Sequence, residues 1–583
     1  ANNNVAVGDS ALNANTTANF NTAVGHEALR ENTTASNNTG LGAGALFANT
    51  TGTGNVAVGT FALDANTTAD QNTAVGYNAL TTNTTSVNNT AVGYEALKVN
   101  TGANNTAVGA GVLVANTSGT QNVAMGSLSL DANTEGRENI GIGYASLSAN
   151  TTGDNNVAVG RSALVANTTA DNNTAVGKSA LASNTTGTRN VAVGANALDA
   201  ATTANNNTAI GYDALTENTT GAQNTTVGNK SLDANTTGNN NTAVGHNTLS
   251  SNTTADHNTA VGNTALFANT TGDQNTAVGS NCLDSNTTGV ANTGVGRNCL
   301  EANTTGQHNV GVGFNALQGN STGSRNTAIG LQSLDDNTTA NENTAVGYRS
   351  LYLNTTGNVN VAVGATALYS NTTGSQNTAV GENALSSNTT GAVLVAVGRD
   401  ALRSNTTAQN NTAVGNDALV ANTTGAQNTA LGTSAGSNHI DGAQNLILGW
   451  NAQTAATGSS NSVTLGGTYV TDLRCADTSI SSLSDRRDKT DIVDLPVGLD
   501  FINTIRAVKF KWQTREGVPS KDGTIRAGFI AQELQEASKD CDYLNLVMDD
   551  NPDKLEAKQG KLIPVLVKAI QELSAEVNAL KAA

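Results

Sequence analysis

Glycine recurs at intervals of 17 residues between Gly8 and Gly432, 26 times in all, with one 16-residue interval after Gly93. Each unit reads N-T-A-V-G-x-x-A-L-x-x-N-T-T-G/A-x-x, as in residues 72–88. Leucine stands four residues after the glycine in all 25 complete units, and asparagine stands seven residues after it in 24 of them, with Ala201 as the exception. A unit this short cannot enclose a core by itself, so the units must stack as coils of a solenoid.

The residues around each glycine predict how one coil folds. T-A-V or V-A-V before the glycine reads as a short strand with two apolar faces, and the small middle residue predicts a close approach to a neighbouring chain. We expect the leucine inside the coil and N-T-T at the return corner. There the asparagine would take a left-handed backbone and bond to the asparagines above and below. In 22 units this asparagine also forms a glycosylation sequon, but regular stacking favours the ladder.

Composition and charge exclude several classes of protein. The chain is 3% aromatic and 13% charged, and residues 1–483 carry 13 basic against 28 acidic side chains. An acidic, sparsely charged shaft has no electrostatic footprint for nucleic acid, and no apolar run approaches the roughly 20 residues that span a bilayer. We therefore expect neither nucleic-acid binding nor membrane insertion, and no pattern indicates a metal or cofactor. Cys282 and Cys299 are 17 residues apart, which predicts a stacked pair of small buried hydrophobes, with a disulfide as the alternative.

The repeat pattern N-T-A-V-G-x-x-A-L resembles the head repeats of trimeric autotransporter adhesins, in which three chains each wind a parallel β-roll. The resemblance covers residues 1 to about 450 and implies a homotrimer. The expected fold class is mainly β, a trimeric parallel β-roll or β-solenoid of 17-residue coils over residues 1–450. A connector over 451–483 follows, and then a small α+β C-terminal domain over 484–583.

The C-terminal domain begins with the run S-D-R-R-D-K-T-D-I at residues 484–492. Three further segments follow in order, namely I-R-A-V-K-F-K-W at 505–512, A-G-F-I-A-Q-E at 527–533 and K-L-I-P-V-L-V-K-A-I at 561–570. Together they closely resemble the self-cleaving intramolecular chaperone at the end of phage endosialidase tailspikes and other phage fibres. The resemblance implies that Ser484 is the nucleophile, that Lys489 is its general base, and that the chain is cut between Leu483 and Ser484.

The residue types make chemical sense at those positions. No histidine occurs after His439, so a serine in this domain could be activated only by a lysine whose pKa is lowered by burial. The alternative interpretation is that Ser484 only caps a turn and that Lys489 is a solvated charge. The domain ends in a predicted coiled-coil helix over 562–581, whose apolar residues are spaced by three and four: Ile563, Leu566, Ile570, Leu573, Val577 and Leu580.

The function that these features favour is a trimeric phage tail fibre, located in the virion or as an extracellular surface fibre. The shaft would attach to a glycan or protein receptor on the host surface, and the C-terminal chaperone would assist assembly. The alternatives are a polysaccharide-degrading tailspike, which needs convergent carboxylates, and a bacterial surface adhesin. No substrate-directed enzyme activity is expected beyond self-cleavage. Possible receptor contacts are exposed tyrosines at the position after the glycine: Tyr77, Tyr94, Tyr144, Tyr212 and Tyr348.

Overall fold

The computed structural model describes residues 2–467, 470, 484–511, 524–549 and 555–583. The chain forms two compact units, Ala1–Asn343 and Thr344–Ala583. The first unit contains twenty strands of three residues: β1 Val5–Val7, β2 Thr22–Val24, β3 Thr39–Leu41, β4 Val56–Val58, β5 Thr73–Val75, β6 Thr90–Val92, β7 Thr106–Val108, β8 Val123–Met125, β9 Ile140–Ile142, β10 Val157–Val159, β11 Thr174–Val176, β12 Val191–Val193, β13 Thr208–Ile210, β14 Thr225–Val227, β15 Thr242–Val244, β16 Thr259–Val261, β17 Thr276–Val278, β18 Thr293–Val295, β19 Val310–Val312 and β20 Thr327–Ile329.

The second unit continues the same pattern and then changes. Its coils hold β21 Thr344–Val346, β22 Val361–Val363, β23 Thr378–Val380, β24 Val395–Val397, β25 Thr412–Val414, β26 Thr429–Leu431, β27 Leu446–Leu448 and β28 Val463–Leu465. The C-terminal part holds α1 Leu499–Thr504, β29 Val508–Phe510, β30 Arg526–Gly528, α2 Ala531–Ala537, β31 Val547–Met548, β32 Glu556–Ala557 and α3 Ile563–Ala582. The predicted mainly β solenoid of 17-residue coils, followed by a small β-plus-helix region, is confirmed.

The strands of the solenoid coils in each unit pair in parallel with a constant register. Val157 lies beside Thr174, and Thr174 lies beside Val191, so each residue pairs with the one 17 positions later. The single short coil is absorbed without a register slip, because Thr90 pairs with Thr106. Each coil contributes one strand only, and the segment containing A-L is a series of turns rather than a second strand.

The repeat glycine is required by both its backbone and its surroundings. The φ angles of these glycines lie between +114° and +145°, a region that residues with a side chain rarely adopt. A Cβ on Gly211 would lie 2.2 Å from the carbonyl oxygen of Gly228 in the next coil. Consecutive turns therefore stack backbone on backbone, which explains why no other residue replaces this glycine along the shaft.

Three other residues of each coil take left-handed conformations, at the second, fourth and twelfth positions after the glycine. In one coil these are Asn78 with φ +52°, Leu80 with φ +54° and Asn88 with φ +61°. The prediction of a left-handed asparagine in N-T-T is wrong, since Asn83 has no positive φ. The corner residue instead uses its side chain to hold the turn, while the strain is placed at the core leucine, at the half-buried second position and at the exposed twelfth position.

The two faces of the strand are the reverse of the prediction that alanine approaches another chain. Ala243 and Ala260 are fully buried within their own chain, whereas Val244 and Val261 are 37% and 36% exposed. The middle strand position faces the inside of the coil stack, where a Cβ on Gly294 would lie 2.5 Å from Cys282 Sγ. The coil is so slender that leucine and alanine fill it, and the β-branched residues point outward.

The predicted asparagine ladder is confirmed. Asn235 Nδ2 donates to Asn218 Oδ1 at 2.8 Å and to the Gly238 carbonyl at 3.0 Å, and the same pair of bonds recurs along most of the shaft. Asn235 is fully buried, so both amide hydrogens are engaged where a glycan would have to attach. A second ladder runs through the asparagine before each strand, as in Asn241 N to Asn224 Oδ1 at 3.0 Å.

The cysteine pair is buried and unbridged, as the interpretation as small hydrophobes predicted. Cys282 and Cys299 are both free and fully buried. Their mutual contact and their burial raise the pKa of the Cys282 thiol far above its usual range, so it stays protonated. Cys541 is also free, and Cys475 lies outside the described residues.

The C-terminal part has a small core of its own. Leu534 of α2, Leu546, and Leu562 and Val565 at the start of α3 are all nearly inaccessible and pack together. The helix α1 packs on α3, and the Leu499 amide at its first turn donates to Glu572 Oε2 at 2.7 Å. Since α1 has no side-chain cap of its own, this carboxylate satisfies one of its free amides.

Candidate functional site

The two residues of the predicted dyad lie side by side. Lys489 Nζ donates to Ser484 Oγ at 2.6 Å. A 3₁₀ turn over Arg486–Asp488 separates them and folds the chain back, so that residues five apart in sequence meet. The sequence alone could not place them in contact, and this distance is short enough for direct proton transfer between the two groups.

Asp485 shapes this turn. Its carboxylate accepts from the Arg487 amide at 2.9 Å and from the Arg487 guanidinium, with Nη2 at 2.5 Å from Oδ2. The paired guanidinium lowers the pKa of the Asp485 carboxyl below its usual range, so the aspartate stays ionised. The charged residues of S-D-R-R therefore fix the turn that presents Ser484 to Lys489.

Both members of the dyad are exposed to solvent in the single chain. An ammonium group that donates to a serine cannot also remove its proton, so a general base here requires the neutral amine. Burial is what favours the neutral form of a lysine. Leu483, whose carbonyl group belongs to the bond predicted to be cut, lies outside the described residues.

The later segments of the C-terminal domain come together around the same small core. β29, from the first segment, pairs antiparallel with β30, from the second, with Lys509 opposite Ala527. Arg506 and Glu533 form a bidentate ion pair between the same two segments. Trp512 lies outside the described residues. Segments separated in the sequence thus form one structural unit.

The six apolar residues of the predicted coiled-coil seam lie on the solvent side of α3. Ile563, Leu566, Ile570, Leu573, Val577 and Leu580 are between 39% and 78% exposed. The opposite face, with Val565 and Ala569, is buried against the domain core. The helix therefore has two apolar faces, of which only the face with Val565 and Ala569 is buried by the residues that the structure describes.

The five candidate receptor tyrosines all project from the position after the repeat glycine. Tyr77, Tyr94, Tyr144, Tyr212 and Tyr348 are 46–57% exposed. The rings of Tyr77 and Tyr94 stack with a centroid distance of 5.7 Å and an interplanar angle of 13°. The predicted tyrosine pair on adjacent coils therefore has the expected geometry, while the other three candidates do not stack with one another.

Sequence reasoning missed a second tyrosine stack five residues after the glycine. Tyr352 and Tyr369 stack at 5.3 Å with an interplanar angle of 15°. The Arg349 guanidinium lies 5.2 Å from the ring centroids of both Tyr348 and Tyr352. The 17-residue spacing of the two tyrosines is the signal that could have revealed this cluster.

Among the described residues, no group of three or more histidine, cysteine, aspartate or glutamate side chains is arranged to hold a metal ion. In the same part of the chain, no helix has both the length and the apolar character needed to cross a membrane.

Residues 484–543 match the Peptidase S74 family, described as chaperone of endosialidase. The match begins at Ser484 itself and covers the dyad, the hairpin of β29 and β30, and α2. No curated protein and no solved structure matches the chain. A long parallel β-solenoid followed by an endosialidase-type chaperone domain fits a protein of the tail-fibre or tailspike class.

Proposed function

We propose that this chain is a structural and adhesive fibre of a phage tail, a homotrimer that attaches to the host surface through its shaft. The observation that carries the proposal is the match of residues 484–543 to the endosialidase chaperone, next to a stack of solenoid coils. The chaperone domain aligns three chains during assembly and then cuts itself off. Localisation in the virion follows from the same argument.

Two exposed apolar surfaces support the homotrimer. One is the seam of α3, and the other is the row of residues directly before the repeat glycine, such as Val244, Val261 and Val278. Val244, Val261 and Val278 are 36–37% exposed, other valines of the row are half-buried, and the row is repeated on strand after strand. Rows of this kind are unusual on a monomer, and burying them between copies of the chain would stabilise the assembly.

Self-cleavage would proceed at the Leu483–Ser484 bond. Ser484 Oγ attacks the carbonyl carbon of Leu483 while Lys489 Nζ takes the hydroxyl proton. The proton passes to the amide nitrogen of Ser484 as the C–N bond breaks and an ester forms. Water then hydrolyses the ester and releases the two chains. Because Lys489 is exposed in the single chain, we propose that packing of the three chains supplies the desolvation that makes its amine neutral.

The test is to express the whole chain and follow its mass. Wild type should give a fragment ending at Leu483 and a second fragment of about 100 residues. Ser484→Ala and Lys489→Ala should each remain at the full 58.7 kDa while still forming trimers. Ser482→Ala and Lys539→Ala are matched controls and should be cut like wild type.

Light scattering on the same samples reports the number of chains. A stable folded monomer would contradict the fibre proposal, and equal cutting of wild type and Ser484→Ala would remove the dyad from it. Cutting that is independent of protein concentration and of assembly would contradict the desolvation step alone.

A further inference from the structure

Tyr348, Arg349, Tyr352 and Tyr369 form an aromatic and basic cluster on two adjacent coils of the second unit. The chain has only nine tyrosines, and three of them fall within these 22 residues. Tyr348 is about half exposed, and Tyr352 and Tyr369 are half-buried, with their rings stacked. We call these four residues the tyrosine cluster.

The tyrosine stack ends beside a groove. Tyr352 and Tyr369 stand five residues after the glycine in successive coils, and the next coil has Ser386 at this position. The stack therefore stops at Tyr369, where the next ring would lie. A groove of about 390 Å³ opens here, and its lining includes Tyr348, Arg349, Tyr369 and Ser386.

The polar side of the groove combines fixed and available groups. Thr366 Oγ1 donates to Asn383 Oδ1 at 2.5 Å, and Asn383 Nδ2 donates to Asp400 Oδ1 at 3.1 Å, which holds these side chains in place. Three hydroxyl groups along the groove make no side-chain hydrogen bond within the part of the chain that the structure describes, namely those of Ser370, Ser386 and Ser387. The groove thus offers a ring-sized apolar surface beside hydroxyl and guanidinium groups.

The other tyrosine stack of the shaft has a different setting. Beside Tyr77 and Tyr94, the corresponding positions two and five residues after the glycine hold Glu95 and Lys98, which form an ion pair at 2.8 Å. The charged groups satisfy each other there. This stack is therefore a comparison surface, with two stacked tyrosine rings that are more exposed than those of Tyr352 and Tyr369 and with different polar surroundings.

We propose that the groove beside Tyr369 binds an oligosaccharide. A pyranose ring has an apolar face of C–H groups and a rim of hydroxyls. Its face would stack on Tyr369 in place of the missing tyrosine, and its hydroxyls would bond to the free serines, Asn383 and Arg349. This inference rests on the proposed attachment function and assigns the receptor class and the binding position, which that function leaves open.

The experiment uses the full chain and an array of immobilised neutral and acidic oligosaccharides, followed by titration of the best soluble ligand. Tyr369→Ala should weaken binding by about tenfold, the effect of losing one stacked ring. Ser386→Tyr should weaken binding at least as much, because the new ring would continue the tyrosine stack and fill the groove while Tyr369 itself stays unchanged. Ser386→Ala removes one hydroxyl contact and should weaken binding less than Ser386→Tyr does. Tyr94→Ala should bind within about twofold of wild type, as expected for a change outside the contact.

Three results would overturn the proposal: wild type that binds no oligosaccharide of the array, Ser386→Tyr that binds like wild type, and Tyr94→Ala that loses as much affinity as Tyr369→Ala. Chain mass and trimer formation are measured on the same samples. Correctly cut trimers without oligosaccharide binding would reject this site and leave the fibre proposal intact. Uncut monomers would instead reject the fibre proposal.

Discussion

Ala201→Asn should stabilise the shaft by repairing a break in the asparagine ladder. Ala201 is fully buried at the position where the other complete coils have asparagine. The Oδ1 atom of Asn184, in the coil before, is buried and has no hydrogen-bond partner. The Nδ2 group of Asn218, in the coil after, donates only to the Gly221 carbonyl, at 2.9 Å.

The backbone at the break is already in the conformation that an asparagine needs. Ala201 N donates to Leu198 O at 3.4 Å, the same distance as from Asn184 N to Leu181 O in an intact coil. The new side chain would donate to Asn184 Oδ1 and to the Ala204 carbonyl, and it would accept from Asn218. Three hydrogen bonds at about 1 kcal/mol each, less about 1 kcal/mol for ordering the side chain, give roughly 2 kcal/mol.

Hydrogen exchange measures this effect locally, which is necessary because a long repeat array does not unfold in one step. A gain of about 2 kcal/mol predicts about 30-fold slower exchange of the amides around position 201. Ala200→Asn adds the same group at the neighbouring, half-exposed position and should leave exchange unchanged. Asn235→Ala makes a second break and should speed exchange around its own coil. Unchanged or faster exchange in Ala201→Asn would refute the claim that the ladder bonds contribute net stability.

Three further outcomes follow from the packing, the charges and the assembly. Gly294→Ala should lower the local stability of the shaft by about 1–3 kcal/mol, because its Cβ would meet Cys282 Sγ. The double variant with Cys282→Ala should be nearly neutral, because it restores the alanine pair of other coils. Hydrogen-exchange rates in the single and double variants check this. Burial, with Glu217 and Asp213 nearby, raises the pKa of Asp199; the folded value exceeds the unfolded one, so stability is lost as pH rises through the folded pKa. Lowering the pH from 7 toward 4.5 should therefore protect wild type against proteolysis relative to Asp199→Asn, and the opposite order would reject this assignment. Deleting residues 484–583 from the gene should give aggregated or monomeric shaft by light scattering, whereas regular trimers would show that the repeats align themselves.

The sequence was most informative where one residue type has one use. The repeat glycine needs its positive φ and its lack of Cβ, and the leucine needs burial, so both could be located by counting. Counting could not show which face of the strand is buried, because alanine and valine are both apolar. Only the width of the coil decides which of the two fits inside. The backbone strain was also hidden, since a left-handed leucine such as Leu80 is a property of the stacked turn and not of leucine.

The C-terminal domain shows a different limit of sequence reasoning. Its motifs located Ser484 and Lys489, but the 2.6 Å contact depends on a turn held by Asp485 and Arg487. The exposure of the dyad could not be read from a motif, because burial depends on everything that packs around it. The tyrosine cluster was missed for a related reason: two tyrosines 17 residues apart matter only once the neighbouring Ser386 is known to leave a groove.

The regularity that makes the shaft stable also makes its assembly ambiguous. Sliding one chain past another by one coil would move a valine of the exposed row onto its equivalent, with nearly the same contacts. The coils at Gly93, Ala201 and Cys282 depart from the repeat, and each disfavours a shifted alignment by the energy of one or two contacts. That energy is small beside the contacts of the many coils that would match equally well after the shift. The C-terminal unit occurs once in the chain, so a slip of one coil between copies would also pull their α3 seams out of alignment. In the proposed trimer the C-terminal unit would therefore fix the alignment of the three chains. Once the coils have packed their valine rows together, cutting at Ser484 would remove no contact that holds the shaft together.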